Sequence, residues 1–328
     1  MRLFAVIVAL VLMPPHLRAA EITLVQDRTF TFEEIEAGAC SLRLGGRIEA
    51  GDAARLKQML EDLFPLEFDD RSPSLCLDSP GGSLDEGVKL AQILAGHFTA
   101  TVVPQGGECL SACAVAFMGG TFGAYEDIYN MRLIHPSARL GFHAPRLEIG
   151  EGNYTAATVS RAFDIAVDAM ARIAGDLDHT HLGTPINRFP RSLMAEMLVH
   201  RGEDFLEIDT IEKAAGWDIW VITDKRPSLN KGNLIRSCKG GVRWLADDPR
   251  MEFAVNDWEL EGEWGEVRTV PDGWAVQFGE LFTIDCAVRE TGGGAVLMRI
   301  EMGGVTLGQM PLRPWMAFPA DMPIRELR

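Results

Sequence analysis

Positive charge is what this sequence has too little of. Its 31 lysines and arginines face 47 aspartates and glutamates, a net of −16 over 328 residues. A surface of that sign repels phosphate backbones and anionic lipid headgroups, which excludes a general nucleic-acid binder. Beyond residue 13 no apolar run approaches the roughly 20 residues that a spanning helix needs. No cysteine or histidine spacing resembles a four-ligand zinc site. The one close histidine pair, His179 and His181, lies two residues apart, where helical side chains diverge, so a surface loop is the plainer reading and no metal is expected. Internal repeats and low-complexity tracts are missing too. What remains, 47% hydrophobic and 24% charged, is the composition of a folded globular chain of about two domains.

The first twenty residues have their own logic. Met1-Arg2 supplies charge, Leu3 to Met13 an apolar run, Pro14-Pro15 a break, and Leu17-Arg18-Ala19-Ala20 precedes the acidic Glu21. That order reads as a secretory signal peptide over residues 1–20, with an uncleaved membrane anchor as the alternative. The mature protein is then expected to be soluble and exported, to the periplasm. Export changes the reading of the six cysteines, because an oxidising compartment favours pairing them. Six cysteines allow 15 connectivities. Cys238 and Cys286, alone in the C-terminal part, are the favoured pair.

From Ser41 a pattern of short strands and amphipathic helices begins. Ser41 to Leu44 and Ser74 to Asp78 read as strands, and Thr99 to Val103 as a third. Between them, a helix capped by Asp52 carries Ala53, Leu56, Leu60 and Leu63 on one face, and another carries Leu84, Val88, Ala91 and Ala95. Such alternation implies βαβ units and a parallel sheet covered on both faces. A longer helix from Tyr154 to Leu177 places Val159, Phe163, Ala166, Met170 and Ile173 on one side, and Arg191 to Val199 keeps a helical register. Beyond about residue 225 the composition shifts to short alternating runs between turns, with five of the seven tryptophans after Cys238. Pro271-Asp272-Gly273 is a turn between two such runs. The expected organisation is a leader (1–20), an α/β domain (21–225) and a small tryptophan-rich all-β domain (226–328), joined near Lys225-Arg226-Pro227-Ser228.

Three segments of the α/β part combine into a chemical proposal. Ser79-Pro80-Gly81-Gly82-Ser83 follows a strand, and its glycines leave the backbone N–H groups uncovered, as an oxyanion site requires; alone it is an ordinary turn into a helix. Cys109-Leu110-Ser111-Ala112-Cys113 sets Ser111 among small residues where a strand gives way to an apolar helix; alone, a serine there is an N-cap. Arg139-Leu140-Gly141-Phe142-His143-Ala144-Pro145 ends an apolar strand on a histidine, a base for a serine nucleophile if the two lie within hydrogen-bond reach. His135, in the preceding stretch, is a decoy candidate. Cys109 and Cys113 either pair and stiffen the serine turn or simply fill small core positions.

Residues 42–145 resemble the proteolytic subunit of the Clp protease, within the broader Clp/crotonase superfamily. Leu77-Asp78-Ser79-Pro80-Gly81-Gly82-Ser83 and Arg139 to Pro145 carry the closest match. The resemblance continues more loosely through the helix from Tyr154 into Glu203-Asp204-Phe205-Leu206 and Ala214-Ala215-Gly216-Trp217-Asp218, ending near residue 222. It implies an α/β spiral with a parallel sheet, Ser111 as nucleophile, His143 as general base and Asp204 as third member, with Glu203 and Asp209 competing for that role. It also implies oxyanion N–H donors from Gly82 and Ala112, with Gly81 shaping the turn. Asp78 stands where the family usually has Asn, which brings negative charge toward the oxyanion site. No metal, nucleotide or organic cofactor is implied. An exported chain would not meet the family's cytosolic ATPase partner, and self-association as a homo-oligomer is left open.

The leading expectation is an exported serine peptidase acting on a peptide or protein substrate. A catalytically inactive Clp-like scaffold that binds a peptide or an envelope partner is the alternative. A crotonase-type acyl-CoA enzyme is the third reading, and export opposes it because CoA thioesters are cytosolic. A Ser–Lys dyad finds no support in the positions of Lys57, Lys89 or Lys213.

Overall fold

The structure is a computed structural model, and it describes residues 20–66, 70–124, 127–146, 152–176, 178–181, 184–187, 189–227, 230–246, 265–278, 284–290 and 296–328. Its centre is a six-stranded sheet in the order Glu21–Leu24, Leu42–Gly45, Ser74–Asp78, Ala100–Val103, Arg132–Ile134, Trp220–Val221. All neighbours run parallel except the first pair. The sheet is covered on both faces, as expected of continuous apolar strands. Side chains alternate between two cores: Leu75, Leu77 and Val103 join one, while Cys76, Ala100, Val102 and Leu133 join the other with Phe30, Ile35 and Phe122. A disulfide, Cys40–Cys76, ties the second face to the N-terminal arm.

A smaller sheet continues from the ends of these strands. It contains Glu108–Leu110, Arg139–Phe142 and Leu206–Glu207, and isolated bridges extend it through Ser79 to Cys109 and through Ile48 to Gly82. Four successive passes of the chain thus contribute first to the large sheet and then to the small one, and the last, Leu206–Glu207 before Trp220–Val221, takes the reverse order. Ser111 and His143 both lie at the ends of small-sheet strands.

The helices follow the apolar spacing, with three local differences. In Asp52–Leu63, Ala53, Leu56 and Leu60 are buried, but Leu63 faces solvent. Asp52 is not its cap. Gly51 is, at φ +100°, and the buried Glu86 of Leu84–Gly96 accepts from Gly51 N–H (3.1 Å) and Ala53 N–H (3.2 Å), taking over the capping role. The long helix Ala156–Asp176 buries Ala169 and Ile173, with Met170 packed against the core, but only in that second half. Val159 and Phe163 project outward, Phe163 with 65% of its surface exposed.

The C-terminal part carries an all-antiparallel sheet of five strands, Gly265–Val270, Gly273–Phe278, Ile284–Glu290, Val296–Met302 and Val305–Pro311, in sequence order. Pro271-Asp272 forms the first hairpin turn, with Val270 paired to Gly273. The part is not all-β. A helix, Lys231–Ala246, precedes the sheet and covers its buried face, where Cys238 bonds Cys286 as the sequence favoured. Trp258, Trp264 and the side chain of Trp244 lie outside the described residues.

The last seventeen residues return to the α/β part. Backbone bonds join Ile211 to Met322 (3.0 Å), Glu212 to Ala320 (2.9 Å) and Ile324 to Asp209 (2.9 Å), and Trp315, Ile324 and Leu327 are buried. Arg313 fastens this tail. Its guanidinium lies 3.6 Å over the Trp220 ring and 5.0 Å from Phe32, and it pairs with Glu36 at 3.2 Å. A largely desolvated cation over an indole stabilises by about 2 kcal/mol. Arg313→Ala is therefore expected to lower stability by about that amount, read as a lower denaturant midpoint with an unchanged slope. An unchanged midpoint would mean that the clamp contributes nothing.

Candidate functional site

The site is built on a sharp bend between a strand and a helix. Glu108–Leu110 is held on one side by Arg139–Phe142, with Leu140 opposite Cys109. On the other side lies the Pro-Gly-Gly turn: Ser79 N–H donates to Glu108 O (2.6 Å), and Leu110 N–H donates to Ser79 O (3.1 Å). The chain then turns at Ser111 and enters the helix Ala112–Phe117, every residue of which is buried. Ser111 makes this turn at φ +57°, ψ −122°, a conformation that L residues seldom adopt and that costs on the order of 1–3 kcal/mol. It occupies the N-cap position, its carbonyl accepting Val115 N–H (3.2 Å), but its side chain caps no helix N–H.

The hydroxyl points instead at the histidine. His143 Nε2 lies 2.7 Å from Ser111 Oγ, within the range of a nucleophile–base contact. Ser111 N–H donates to Gly141 O (2.9 Å), so the strand that leads to His143 also fixes the backbone of Ser111. The imidazole is nearly buried and packs edge-on to Phe205, with ring centroids 4.8 Å apart.

Gly81 and Gly82 are required by space as well as by conformation. Gly81 sits at φ +96°, and a Cβ there would fall 2.6 Å from Leu110 O and 2.7 Å from Ser111 Cβ. Gly82 sits at φ +146°, where a Cβ would meet Ile48 O at 2.1 Å. Ile48 bonds the residues on either side of Gly82, donating to Gly81 O and accepting from Ser83 N–H. Gly82 N–H is thereby turned away from that strand. Ala112 is the first residue of its helix and has no intrahelical acceptor for its N–H. Asp78, the charge that stands where an oxyanion site is least tolerant of one, is spoken for. It pairs with Arg43 (2.5 Å) and accepts Glu108 N–H (3.2 Å), bracing three strands.

The third member is where the structure departs from the sequence expectation. Asp204 does not bond His143. Its carboxylate lies 2.9 Å from Nδ1 of His200, one turn back along the chain, and Asp209 pairs with Lys213 at 2.7 Å. Glu203 is the acid whose charge reaches His143, but Arg146 holds it in an ion pair. The Ala144 backbone contributes slightly, yet no acceptor meets His143 Nδ1 at hydrogen-bonding geometry, and that buried atom stands without a partner. The arrangement in hand is a Ser–His dyad. His135 bonds Ser137 within its own turn, and Lys57, Lys89 and Lys213 each pair with carboxylates, so neither decoy reaches Ser111.

Sequence reasoning missed three contributors: the Gly141 carbonyl, the Phe205 ring and Arg146. Phe205 stood inside the Glu203-Asp204-Phe205-Leu206 motif, and its position beside the acid was the available signal. All six cysteines are paired, and the third disulfide joins Cys109 to Cys113 across Ser111. Three disulfides fit a chain that matures in an oxidising, non-cytoplasmic compartment. Among the described residues no helix is long and apolar enough to cross a membrane, and none of their His, Cys, Asp and Glu side chains form a metal-binding group. Residues 1–19 of the leader segment and the side chains of His179 and His181 lie outside the described residues.

Burial, foremost, and then the nearby Arg146 cation hold the His143 imidazole below its ordinary pKa, against an opposing pull from Glu203. The imidazole therefore stays neutral to lower pH than that of a free histidine. The same preference removes stability as pH falls through its folded-state pKa. Titration of His143 by NMR is expected to give a midpoint below about 6.5, and a midpoint above that value would contradict the account. Glu203→Gln removes the one upward charge and is expected to lower the midpoint further. Asp204→Asn is expected to leave it unmoved.

No family model and no curated protein matches this sequence.

Proposed function

We propose that this protein is an exported serine hydrolase of the Clp/crotonase type, a peptidase that acts through an acyl-enzyme. One observation carries the reading: a serine held in a left-handed bend with its hydroxyl 2.7 Å from a nearly buried, neutral-leaning imidazole. The alternation between a large and a small sheet supports the spiral form of that superfamily. The leader-like residues 1–20 and the three disulfides support delivery to the periplasm, with an α/β domain over 21–225 and a C-terminal domain over 226–328.

In this reading Ser111 Oγ attacks the substrate carbonyl while His143 Nε2 takes its proton. The tetrahedral oxygen is received by the N–H groups of Gly82 and Ala112, each such donor supplying about 2.7–4 kcal/mol of transition-state stabilisation. The imidazolium returns the proton to the leaving amine, and water then attacks the acyl-enzyme with His143 again as base. No cofactor, metal or ATPase partner takes part, and the substrate is a peptide or protein.

A second reading is favoured by a specific observation. The unpartnered Nδ1 of His143 leaves the ring without the orienting acid that serine hydrolases of this kind use. A scaffold that binds a peptide or an envelope partner without cleaving it would carry such a dyad as a remnant.

A fluorophosphonate probe separates the two. The folded protein is expected to be labelled, with labelling abolished in Ser111→Ala and in His143→Ala. Hydrolysis of an unstructured peptide should fall in either variant on the order of 10⁶-fold. Failure of the folded wild type to label would favour the scaffold, and labelling that persists in Ser111→Ala would overturn the assignment of the nucleophile.

A further inference from the structure

We propose that the Cys109–Cys113 disulfide is the positioning element of the nucleophile: a covalent strap across the bend that holds Ser111 in its left-handed conformation and so aims Oγ at His143. The inference rests on the serine-hydrolase reading above and adds to it two residues that act through Ser111.

The bend is costly to hold. Ser111 lacks a glycine's freedom, and its side chain does nothing to stabilise its own backbone, because the hydroxyl is directed to His143 and not to a helix N–H. A conformation of this kind persists only where the surroundings over-determine it. The competing state is close at hand. With an ordinary negative φ, Ser111 would simply add a residue to the start of Ala112–Phe117, and its hydroxyl would leave His143.

The disulfide blocks that change. Cys109 is fixed in the small sheet, opposite Leu140 on one side and bridged to Ser79 on the other. Cys113 is the second residue of the helix. The bond holds their Cα atoms 5.1 Å apart with Ser111 midway between them. Strand and helix therefore cannot separate or rotate about Ser111 without breaking it.

Stability alone does not account for the bond. Its loop spans 4 positions, against 36 and 48 for the other two disulfides, so it restricts the unfolded chain least. Both half-cystines are fully buried, where two thiols would serve equally well as small apolar side chains. A short cross-link that adds least to global stability, placed across the most strained residue of the site, is suited to fixing geometry.

The test compares Cys109→Ala/Cys113→Ala with Cys40→Ala/Cys76→Ala, which removes a disulfide remote from the bend. Each is read by thermal unfolding, by fluorophosphonate kinetics that resolve the reagent's binding constant from its inactivation rate constant, and by a crystal structure. The first pair is expected to lose at least tenfold in the inactivation rate constant with little change in reagent binding, and to show Ser111 at negative φ without its His143 contact. The second pair is expected to lose thermal stability and keep the wild-type inactivation rate constant. An inactivation rate constant within twofold of wild type in the first pair, or Ser111 still at positive φ and bonded to His143, would overturn the proposal. If the alanine pair does not fold, Cys109→Ser/Cys113→Ser is read in the same way. The geometric readout does not depend on catalysis. A wild type that does not label refutes the hydrolase reading, while the two crystal structures still decide whether the strap sets the bend.

Discussion

The conformation of one residue governs this site. Ser111 joins the strand Glu108–Leu110 to the buried helix Ala112–Phe117 with its side chain turned to His143. Its neighbours conform to that arrangement. Gly81 has no side chain because Ser111 Cβ occupies the space, and the Gly141 carbonyl lies where it does because the Ser111 N–H must be met. Ala112 and Cys113 are small because Leu84–Gly96 packs directly on their helix, with Gly87 so close to Ala112 O that a Cβ would lie 2.5 Å from it.

The electrostatics around the bend are arranged to spare the imidazole. The protein as a whole is strongly acidic, yet the carboxylates nearest the site are each tied to another group: Asp78 to Arg43, Glu203 to Arg146, Asp204 to His200. His143 is left buried, facing Phe205 and influenced more by the Arg146 cation than by the paired Glu203. That environment favours a neutral base, which is the form needed to take a proton from a hydroxyl. It would give an imidazolium little support, and in this respect the Ser111–His143 pair differs from a complete triad.

Much of the fold could be read from the sequence, and the reasons are local. The helices Asp52–Leu63 and Leu84–Gly96 announce themselves through apolar residues at spacings of three and four, and the Ser74–Asp78 strand through its apolar Leu75-Cys76-Leu77 before a Pro-Gly-Gly turn. The pairing of Ser111 with His143 was legible only in combination, since each segment alone has an ordinary structural explanation. Other features depend on tertiary geometry that no local pattern records. Glu86 caps a helix other than its own, and Val159 and Phe163 satisfy a helical stripe but find no core beneath them. Asp204 follows the motif yet turns to His200, because side chains four residues apart along one turn are nearer than a strand across the site. The helix Lys231–Ala246 was hidden by two adjacent glycines, Gly240 and Gly241, which lower helix propensity. At least one of them is a packing requirement, since a Cβ on Gly241 would strike Met298.

The central claim is that Ser111, activated by His143, attacks a carbonyl whose oxygen is received by Gly82 and Ala112. The most direct test is a crystal structure of the protein after reaction with a fluorophosphonate. A phosphorus–Oγ bond at Ser111 is expected, with the phosphonyl oxygen within hydrogen-bonding distance of both N–H groups and His143 Nε2 still beside the ester. An adduct on any other residue, or an oxygen directed away from Gly82 and Ala112, would contradict it.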